Sequence, residues 1–532
     1  MTQPVRGTRG MAVAPHALAA QSALDVLREG GNALEAMIAA AATIAIAYPH
    51  MNSIGGDAFW LIHVPRRAPR GIDACGAAAR AASLEWYAAR GITRAIPFRG
   101  AAAANTVAGA VSGWDLAFRL SRKWGGRLPL KRLLADAIHY AEHGIAATVS
   151  QSTVTAARCG ELDAQPGFRD TYLAGGSVPP AGSIFRQPRL AQTLGRLARA
   201  GLDDFYRGRL AQAIARDLAA VGSPLAPGDF ARHRAKFATP LALAHSLGTV
   251  YNLPPPTQGV ASLLILGILD ALETGSAGPM SADYVHLAVE ATKRAFAVRD
   301  YCVTDPAYMT IEAQGLLAPG RIHGLAEDID RGRAARWGGG KGPGDTVWIG
   351  VADGAGRMVG MIQSLYHEFG AAVVLEETGI TWQNRGCSFA LDPAALNGLK
   401  PGRKPFHTLN SALAILRDGR ALAYGTMGGD GQPQTQAAVF TRIAAFGMDP
   451  QQAVAAPRWL LGRTWGQASD SLKLESRFST GVVADLARRG HVMEVLGEYD
   501  EAMGHAGAIV RHANGVLEGG ADPRSDGAVA AY

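Results

Sequence analysis

The sequence changes character abruptly between residues 338 and 364, which read GGGKGPGDTVWIGVADGAGRMVGMIQS. Up to Asp345 the segment is mainly glycine with lysine and proline, a composition that does not pack into a core. From Thr346 the residues alternate as they do in a strand that belongs to a buried sheet. A loose segment therefore runs directly into a predicted core strand, with Asp345 and Thr346 at the junction.

The overall composition is that of a globular chain. Of the 532 residues, 48% are hydrophobic and 18% are charged, so a sizeable core can form. The net charge of +7 comes from small scattered basic groups, which argues against a nucleic-acid partner. The longest apolar run covers 37–48 and is shorter than the roughly 20 residues that a membrane-spanning helix needs.

The cysteines and the N-terminus bear on where the protein works. Cys75, Cys159, Cys302 and Cys387 lie far apart, without a CxxC pair or a histidine at ligand spacing. Neither a disulfide framework nor a zinc site is expected, and a reducing compartment fits. The first residues contain no apolar export signal, so the sequence predicts a cytoplasmic protein.

Helical and strand patterns alternate in blocks along the chain. We predict a helical region over 15–48 broken at Gly30-Gly31, strands over 55–64 and 356–366, a largely helical stretch over 105–335 with its clearest helix at 281–301, further strands after Thr346 (including 346–353 and 421–427), and helices near 433–446 and 450–456. Strand sets flanked by helices indicate a layered helix–sheet–sheet–helix core.

Six blocks of sequence occur in an order that resembles the gamma-glutamyltransferase family of N-terminal-nucleophile hydrolases. They are GGNALEAMIAAAATIAIAYPHMNSIGGDAF (30–59), LPPPTQGVASLLILGILDAL (253–272), GITWQN (379–384), PGRKPFHTL (401–409), GTMGGDGQPQTQ (425–436) and FGMDPQQAVAAPRW (446–459). The resemblance implies an α+β fold of the four-layer αββα type. It also implies a precursor that cuts its own backbone before a threonine.

The threonine that matches the family's cleavage site is Thr346. The resemblance therefore implies a large fragment 1–345 and a small fragment 346–532, which stay associated and build one catalytic domain. Cleavage after Asp345 frees the α-amine of Thr346, whose reference pKa of about 8 suits a general base at neutral pH. One residue then supplies both the attacking hydroxyl and its base. No cofactor or metal is required.

Further catalytic positions follow from the same resemblance. Ser364 stands where the family has a second threonine that hydrogen-bonds the nucleophile, and we favour this role over that of an ordinary strand serine. Gly428 and Gly429 match the double glycine whose N–H groups hold the oxyanion of the tetrahedral intermediate. Taken alone, two glycines predict only a turn.

The positions that bind a γ-glutamyl head group in the family differ here. Cys75 stands at the place of the arginine that holds the α-carboxylate, and Ser388 at the place of the aspartate that holds the α-amino group. A charged hydrogen bond contributes about 1.5–3 kcal/mol, so the loss of both weakens γ-glutamyl recognition strongly. We therefore expect a different substrate.

Other residues offer a replacement anchor. Arg385 presents a planar fork that matches a small carboxylate, and a structural ion pair with Glu368 or Asp430 is its alternative role. His407 and Thr408 stand where the family has two serines, and Tyr366 and Asn384 lie nearby in sequence. His407 reads equally as a structural histidine, and metal binding there is not expected.

The motifs SLYHEFG (364–370), WQNRG (382–386) and YGTMGGDGQPQTQ (424–436) resemble most the branch of the family that hydrolyses oxamate to oxalate and ammonia. This implies a small-molecule amide substrate and a role in purine-derived nitrogen use. The alternatives are γ-glutamyl transfer or hydrolysis, cephalosporin-type acylation, or an unprocessed, inactive binding protein. A dimer of fragment pairs is left open, and neither nucleic acid nor membrane is expected as a partner.

Overall fold

The computed structural model describes residues 3–338, 345–462 and 469–532, with the backbone alone at Asp345. Most of the glycine-rich segment, 339–344, therefore lies outside the described residues. The strands in chain order are β1 (Val5–Gly7), β2 (Gly10–Ala14), β3 (Asp57–His63), β4 (Arg70–Ala74), β5 (Ile145–Ala146), β6 (Ile184–Phe185), β7 (Lys236–Ala238), β8 (Leu241–His245), β9 (Gly248–Asn252), β10 (Asp345–Asp353), β11 (Met358–Tyr366), β12 (Ala412–Leu416), β13 (Ala421–Thr426), β14 (Trp459–Leu461), β15 (Leu472–Glu475), β16 (Met493–Leu496), β17 (Ala506–Arg511), β18 (Leu517–Ala521) and β19 (Ala528–Ala531).

The α-helices in chain order are α1 (Ala17–Arg28), α2 (Ala33–Ala47), α3 (Leu84–Ala88), α4 (Ala110–Lys123), α5 (Leu130–Leu133), α6 (Ala135–His143), α7 (Val149–Leu162), α8 (Phe168–Tyr172), α9 (Pro188–Ala200), α10 (Asp204–Arg207), α11 (Arg209–Ala220), α12 (Pro227–Arg232), α13 (Gly259–Ala271), α14 (Ala282–Cys302), α15 (Pro319–Glu327), α16 (Gly431–Ala444), α17 (Pro450–Ala455) and α18 (Thr480–Arg488). Short 3-10 helices cover Thr274–Ser276, Pro306–Tyr308, Ala313–Leu317, Arg385–Ser388 and Glu501–Met503. No helix within these described ranges combines the length and apolar character needed to cross a membrane.

Two seven-stranded sheets form the centre of the molecule. The first has the order β1-β18-β17-β13-β12-β9-β8, and the second has the order β19-β2-β10-β11-β3-β4-β7. Neighbouring strands in both sheets run antiparallel; β10 pairs with β11 on one side and with β2 on the other. Strands from before and after residue 345 are therefore interleaved in the second sheet, where β10 and β11 lie between β2 and β3.

Three apolar layers hold these sheets and their helices together. One lies between the sheets and includes Trp348, Phe59 and Ile509. A second packs α1, α2 and α4 against the outer face of the β10 sheet, and a third packs α13, α14 and α16 against the outer face of the other sheet. The protein therefore has the four-layer αββα architecture of an α+β fold, as predicted.

The predicted break in the first helical region is confirmed. Gly30 has a φ of +86°, which glycine adopts without strain, and it ends α1. Asn32 then caps α2, since its side chain accepts from the Glu35 amide while the Glu35 carboxylate accepts from the Asn32 amide. The whole of α2 is buried, which explains why its sequence is apolar on every face.

The prediction of a largely helical stretch over 105–335 is wrong in one part. Strands β7, β8 and β9 lie within it, and β8 and β9 form an antiparallel hairpin at the edge of the first sheet. These strands have three to five residues each. Such short elements carry too few alternations to stand out beside long amphipathic helices.

Glycines allow Trp348 to lie flat between the two sheets. A Cβ added at Gly425 would lie 2.2 Å from Trp348 Cδ1, and one at Gly507 would lie 2.6 Å from Cζ3. The indole Nε1 donates to Ser411 Oγ at 3.0 Å, so the ring is fixed by a hydrogen bond as well as by packing. Trp348 is two residues from Thr346, and its fixed position orients the start of β10.

We predict that Gly425→Ala lowers the unfolding free energy by about 1–3 kcal/mol, because the added methyl overlaps the Trp348 ring. Denaturant unfolding followed by tryptophan fluorescence measures the loss. Gly160→Ala is the matched control, since nothing lies within 4 Å of its added Cβ and the site is in α7. Equal stability of the two variants would contradict the packing argument.

Candidate active site

Thr346 is the second residue of β10 and is 1% exposed. The pairing with β11 shifts register here, because Asp345 lies opposite Tyr366 whereas Val347 lies opposite Gln363. Gln432 Nε2 donates to Thr346 Oγ1 over 3.5 Å, the long end of the hydrogen-bond range. The candidate nucleophile thus lies at an irregularity of the ladder.

Ser364 lies across the ladder from Thr346 in β11 and pairs with Asp57 of β3. Its Oγ accepts a hydrogen bond from the Tyr366 amide at 2.7 Å. The register thus places Ser364 on the strand opposite the start of β10, and the hydroxyl has a defined local contact. Its catalytic role stays a prediction.

Tyr366 ends β11 in a strained conformation. Its φ of +86° lies in the left-handed region, which for a non-glycine residue costs about 1–3 kcal/mol. The hydrogen bond from its amide to Ser364 Oγ helps to hold this turn. Strain of this kind persists only where the surrounding structure fixes it. Here the strained residue ends β11 opposite the start of β10.

The Gly428-Gly429 turn connects β13 to α16, with φ values of +115° and +52°. Within the described ranges we find no acceptor for the N–H groups of these two glycines. The turn lies at the N-terminal end of α16, a helix of 14 residues, where the helix dipole favours negative charge. This geometry suits the predicted oxyanion site.

A buried hydrogen-bonded group braces that turn from behind. Gln258 Nε2 donates to the carbonyls of Gly429 and Thr408, each at 2.8 Å. Arg299 in turn donates to Gln258 Oε1 at 2.8 Å and to Asp430 Oδ1 at 2.7 Å. Sequence reasoning missed this brace. The feature of the sequence that could have indicated it is Arg299, a charged residue within the amphipathic stretch 281–301.

Arg385 opens the 3-10 helix Arg385–Ser388 and is 1% exposed. Neither of its terminal nitrogens has a hydrogen-bond partner among the described residues. Its guanidinium carbon lies 3.8 Å from the centre of the Tyr366 ring. Burial lowers the pKa of this guanidinium from its ordinary value, but arginine stays charged in proteins. The site therefore contains a buried cation stacked on an aromatic ring.

The structural ion pairs considered for Arg385 are made by other arginines. Glu368 Oε2 lies 3.4 Å from Arg99, and Glu368 Oε1 lies 3.6 Å from Arg158. Asp430 pairs with Arg299 instead. This distribution favours a ligand as the partner of Arg385, since a buried unpaired charge is otherwise costly.

Asn384 holds the chain just before Arg385. Its Oδ1 accepts from the His367 amide at 3.1 Å, and its Nδ2 donates to the Phe98 carbonyl at 2.8 Å. These contacts position the turn. One donor hydrogen remains for a ligand, and the predicted substrate contact of Asn384 stays a prediction.

His407 is fully buried between Cys75 and Asp57. Its Nε2 lies 3.0 Å from Cys75 Sγ and 3.3 Å from Asp57 Oδ2, while Nδ1 has no partner among the described residues. Burial lowers the pKa of His407 well below its ordinary value, so the ring is neutral. No histidine lies at ligand spacing from a cysteine in the sequence, but the fold brings His407 into contact with Cys75.

Asp57, Cys75 and His407 are also of the residue types that bind metals, and their donor atoms lie within 4.8 Å of one another. The charges of Arg385 and Lys404, however, act on Cys75 and His407. Two cations beside the group favour an anion in this pocket over a metal ion. Thr408 adds a buried hydroxyl whose Oγ1 has no partner in the described part of the chain.

Comparison with known proteins places this geometry in a family. The family model for gamma-glutamyltranspeptidase matches residues 19–532. The chain belongs to the gamma-glutamyltranspeptidase family.

Individual relatives cover nearly the whole chain. The oxamate amidohydrolase proenzyme of Klebsiella pneumoniae subsp. pneumoniae is 59% identical over 99% of both chains. The glutathione hydrolase-like YwrD proenzyme of Bacillus subtilis is 40% identical, again over 99% of both. The crystal structure of cephalosporin acylase from Bacillus halodurans superposes with a TM-score of 0.89 at 32% identity, covering 100% of this chain and 97% of that one. The family resemblance seen in the sequence is confirmed.

The gamma-glutamyltranspeptidase family's two head-group contacts are predicted to be missing at positions 75 and 388. The side chains at both positions make other hydrogen bonds. Cys75 contacts His407, and Ser388 Oγ donates to the Phe406 carbonyl over 3.5 Å. Burial raises the pKa of the Cys75 thiol well above its ordinary value, so the side chain is neutral. A cation for an α-carboxylate is therefore absent at position 75.

We predict that Arg299→Met costs about 3–5 kcal/mol of unfolding free energy, because Asp430 loses its ion pair in the interior. Denaturant unfolding of the purified variant measures this loss. Arg6→Met is the matched control: Arg6 pairs with Glu518 at 2.7 Å but its side chain is 61% exposed. A surface pair contributes about 0–1 kcal/mol, so similar losses in both variants would contradict the brace.

Proposed function

We propose that this protein is a self-processing amidohydrolase that converts oxamate to oxalate and ammonia through an acyl-Thr346 intermediate. The observation that carries the proposal is Arg385, a buried cation whose terminal nitrogens have no hydrogen-bond partner in the described ranges, stacked on Tyr366 beside the start of β10. A relative that is 59% identical over the full chain bears the name oxamate amidohydrolase proenzyme, which supports this substrate.

Maturation cuts the chain between Asp345 and Thr346, giving fragments 1–345 and 346–532. The sheets explain how the fragments stay together. Strands β10 and β11 of the small fragment lie between β2 and β3 of the large one, and β12 pairs with β9. Separation would break these backbone ladders and expose the cores on both faces.

The reaction begins when Thr346 Oγ1 attacks the amide carbon while the freed α-amine takes its proton. The N–H groups of Gly428 and Gly429 hold the oxyanion at the N-terminus of α16. The amine returns the proton to the leaving nitrogen, so ammonia departs and an ester to Thr346 remains. Water, deprotonated by the same amine, then attacks the ester and releases oxalate. Gln432 and Ser364 position Oγ1.

Arg385 anchors the substrate carboxylate in this scheme. Thr408 Oγ1 and His407 Nδ1, both buried and without partners in the described chain, are further contacts for the same anion or the adjacent amide. Thr408 is tied to the oxyanion turn, because Gln258 bonds both its carbonyl and that of Gly429. Tyr366 closes the pocket beside Thr346 and limits the substrate to a short acyl group.

We expect the reaction to take place in the cytoplasm and to serve the use of purine-derived nitrogen. All four cysteines are free thiols, which suits a reducing compartment. Oxalate and ammonia are small and need no carrier. Neither a cofactor nor a partner other than the second fragment is required.

Thr346→Ala should abolish both maturation and ammonia release, because the variant has no hydroxyl to attack either backbone or substrate. Intact mass spectrometry should show a single 55.6 kDa chain, where the wild type gives two fragments, one of them beginning at Thr346. Thr346→Ser is the matched control and keeps some processing. A folded wild type that stays whole would instead support the inactive binding protein.

Arg385→Met should raise KM for oxamate by roughly 10- to 100-fold, because a charged hydrogen bond contributes about 1.5–3 kcal/mol. Arg385→Lys should restore part of this loss, since it keeps the charge without the planar fork. Oxamide, which carries a second amide in place of the carboxylate, is the matched control substrate. An equal change in KM for both substrates would contradict the anchor.

The alternative substrates of the family are tested with the same purified enzyme. Turnover of a γ-glutamyl anilide or of a cephalosporin side chain, with oxamate untouched, would move the function to those branches. In that case Arg385 would hold a carboxylate farther from the scissile bond.

A further inference from the structure

Asp57 is a buried carboxylate that the proposed mechanism does not use. It begins β3, pairs with Ser364 in the sheet and is 1% exposed. Its Oδ1 accepts from the amides of Gly76 at 3.0 Å and Gly109 at 2.9 Å. Its Oδ2 lies 3.3 Å from His407 Nε2. The carboxylate therefore lies within the candidate site, with one oxygen bonded to main-chain amides and the other next to His407.

The groups that face Asp57 come from several elements, and one of them carries a fixed charge. The titratable and polar neighbours are Arg385, His407, Cys75, His233, Tyr206 and Gln383. Burial lowers the pKa of His233 to about 4 and that of His407 well below its ordinary value, so both rings are neutral. Burial likewise raises the pKa values of the Cys75 thiol and the Tyr206 phenol, which stay protonated. Arg385 is the remaining cation in this set.

The charge of this pocket changes when an anion enters. In the free enzyme the charge of Arg385 acts on Asp57, and Lys404 is paired with Asp73, so the buried group is close to neutral. A substrate carboxylate at Arg385 adds a further anion, and the second cation near the group, Lys404, is already held by Asp73. Two buried anions that share one cation repel each other strongly in a region of low dielectric constant.

We propose that Asp57 and the substrate carboxylate share the charge of Arg385, so that anion binding carries one proton onto the Asp57–His407 pair. The inference rests on the proposed function, because it takes a small carboxylate as the ligand. Asp57 acts through Arg385 and does not touch the substrate, so it is a positioning residue. The proton lies between Oδ2 and Nε2, which are already in contact.

The direction of the pH dependence follows from the free enzyme. Burial raises the pKa of Asp57 to about 6, against the opposing effects of the Gly76 hydrogen bond and of Arg385. Once substrate neutralises Arg385, the pKa rises further. The protonated enzyme therefore binds the anion better, and affinity falls as the pH rises through about 6.

The first test measures KM for oxamate from about pH 5.5 to about pH 8.5. In the wild type KM should rise by up to about tenfold for each pH unit above pH 6, whereas in Asp57→Asn it should change by less than about twofold over the range. Asp73→Asn is the matched control: it removes a nearby carboxylate that pairs with Lys404, and should keep the wild-type slope. The inference is overturned if Asp57→Asn keeps that slope as well.

A second test uses only the wild-type enzyme, so its result does not depend on whether a variant folds. Calorimetric binding of oxalate to the matured wild type, in two buffers with different ionisation enthalpies, should show uptake of about one proton near neutral pH. Binding without proton uptake overturns the inference. The two proposals fail differently: absence of ammonia at every pH rejects the oxamate reaction, whereas ammonia production with a pH-independent KM rejects the role of Asp57 alone.

Discussion

The position of β10 between β2 and β11 is the constraint on which the rest of the structure depends. Backbone pairing holds β10 from Val347 onward against β11 and from Gly350 onward against β2, and Thr346 lies at the start of this strand, at the register shift. Trp348, packed against glycines of the opposite sheet, fixes the same strand from its face. A nucleophile built on such a strand keeps its place when the chain before it is cut, because none of these contacts depends on the peptide bond to Asp345.

Two buried arginines have different roles: one stabilises the fold, and the other is proposed to bind the substrate. Arg299 is bonded to Asp430 and Gln258, and through them it holds the turn that contains Gly428 and Gly429. Arg385 is equally buried, but its terminal nitrogens have no hydrogen-bond acceptor among the described residues; it stacks on the Tyr366 ring, and the charge of Asp57 acts on it. A buried guanidinium without acceptors lowers stability, and the proposed carboxylate ligand supplies the missing ones.

The sequence predicted those features that depend on local pattern or on the family motifs. The alternation after Thr346 predicted β10, and Gly30-Gly31 predicted the break between α1 and α2. The double-glycine turn before α16 was predicted as well. What it missed depends on contacts between distant segments: Cys75 and His407 are 332 positions apart, and Gln258 and Gly429 are 171 apart. The short hairpin β8–β9 was missed because sheet pairing, rather than local pattern, stabilises it.

The proposed anchor at Arg385, in place of a cation at position 75, accounts for a short substrate at this site. Position 75, on the segment after β4, holds a neutral thiol that contacts His407. Arg385 instead stacks on Tyr366, whose backbone pairs with Asp345 at the very start of β10. In the proposed scheme a carboxylate bound there is near the start of β10, which suits an acid group attached directly to the amide carbon. A γ-glutamyl group places several bonds between its charged end and the scissile amide, and would need the cation farther from the nucleophile.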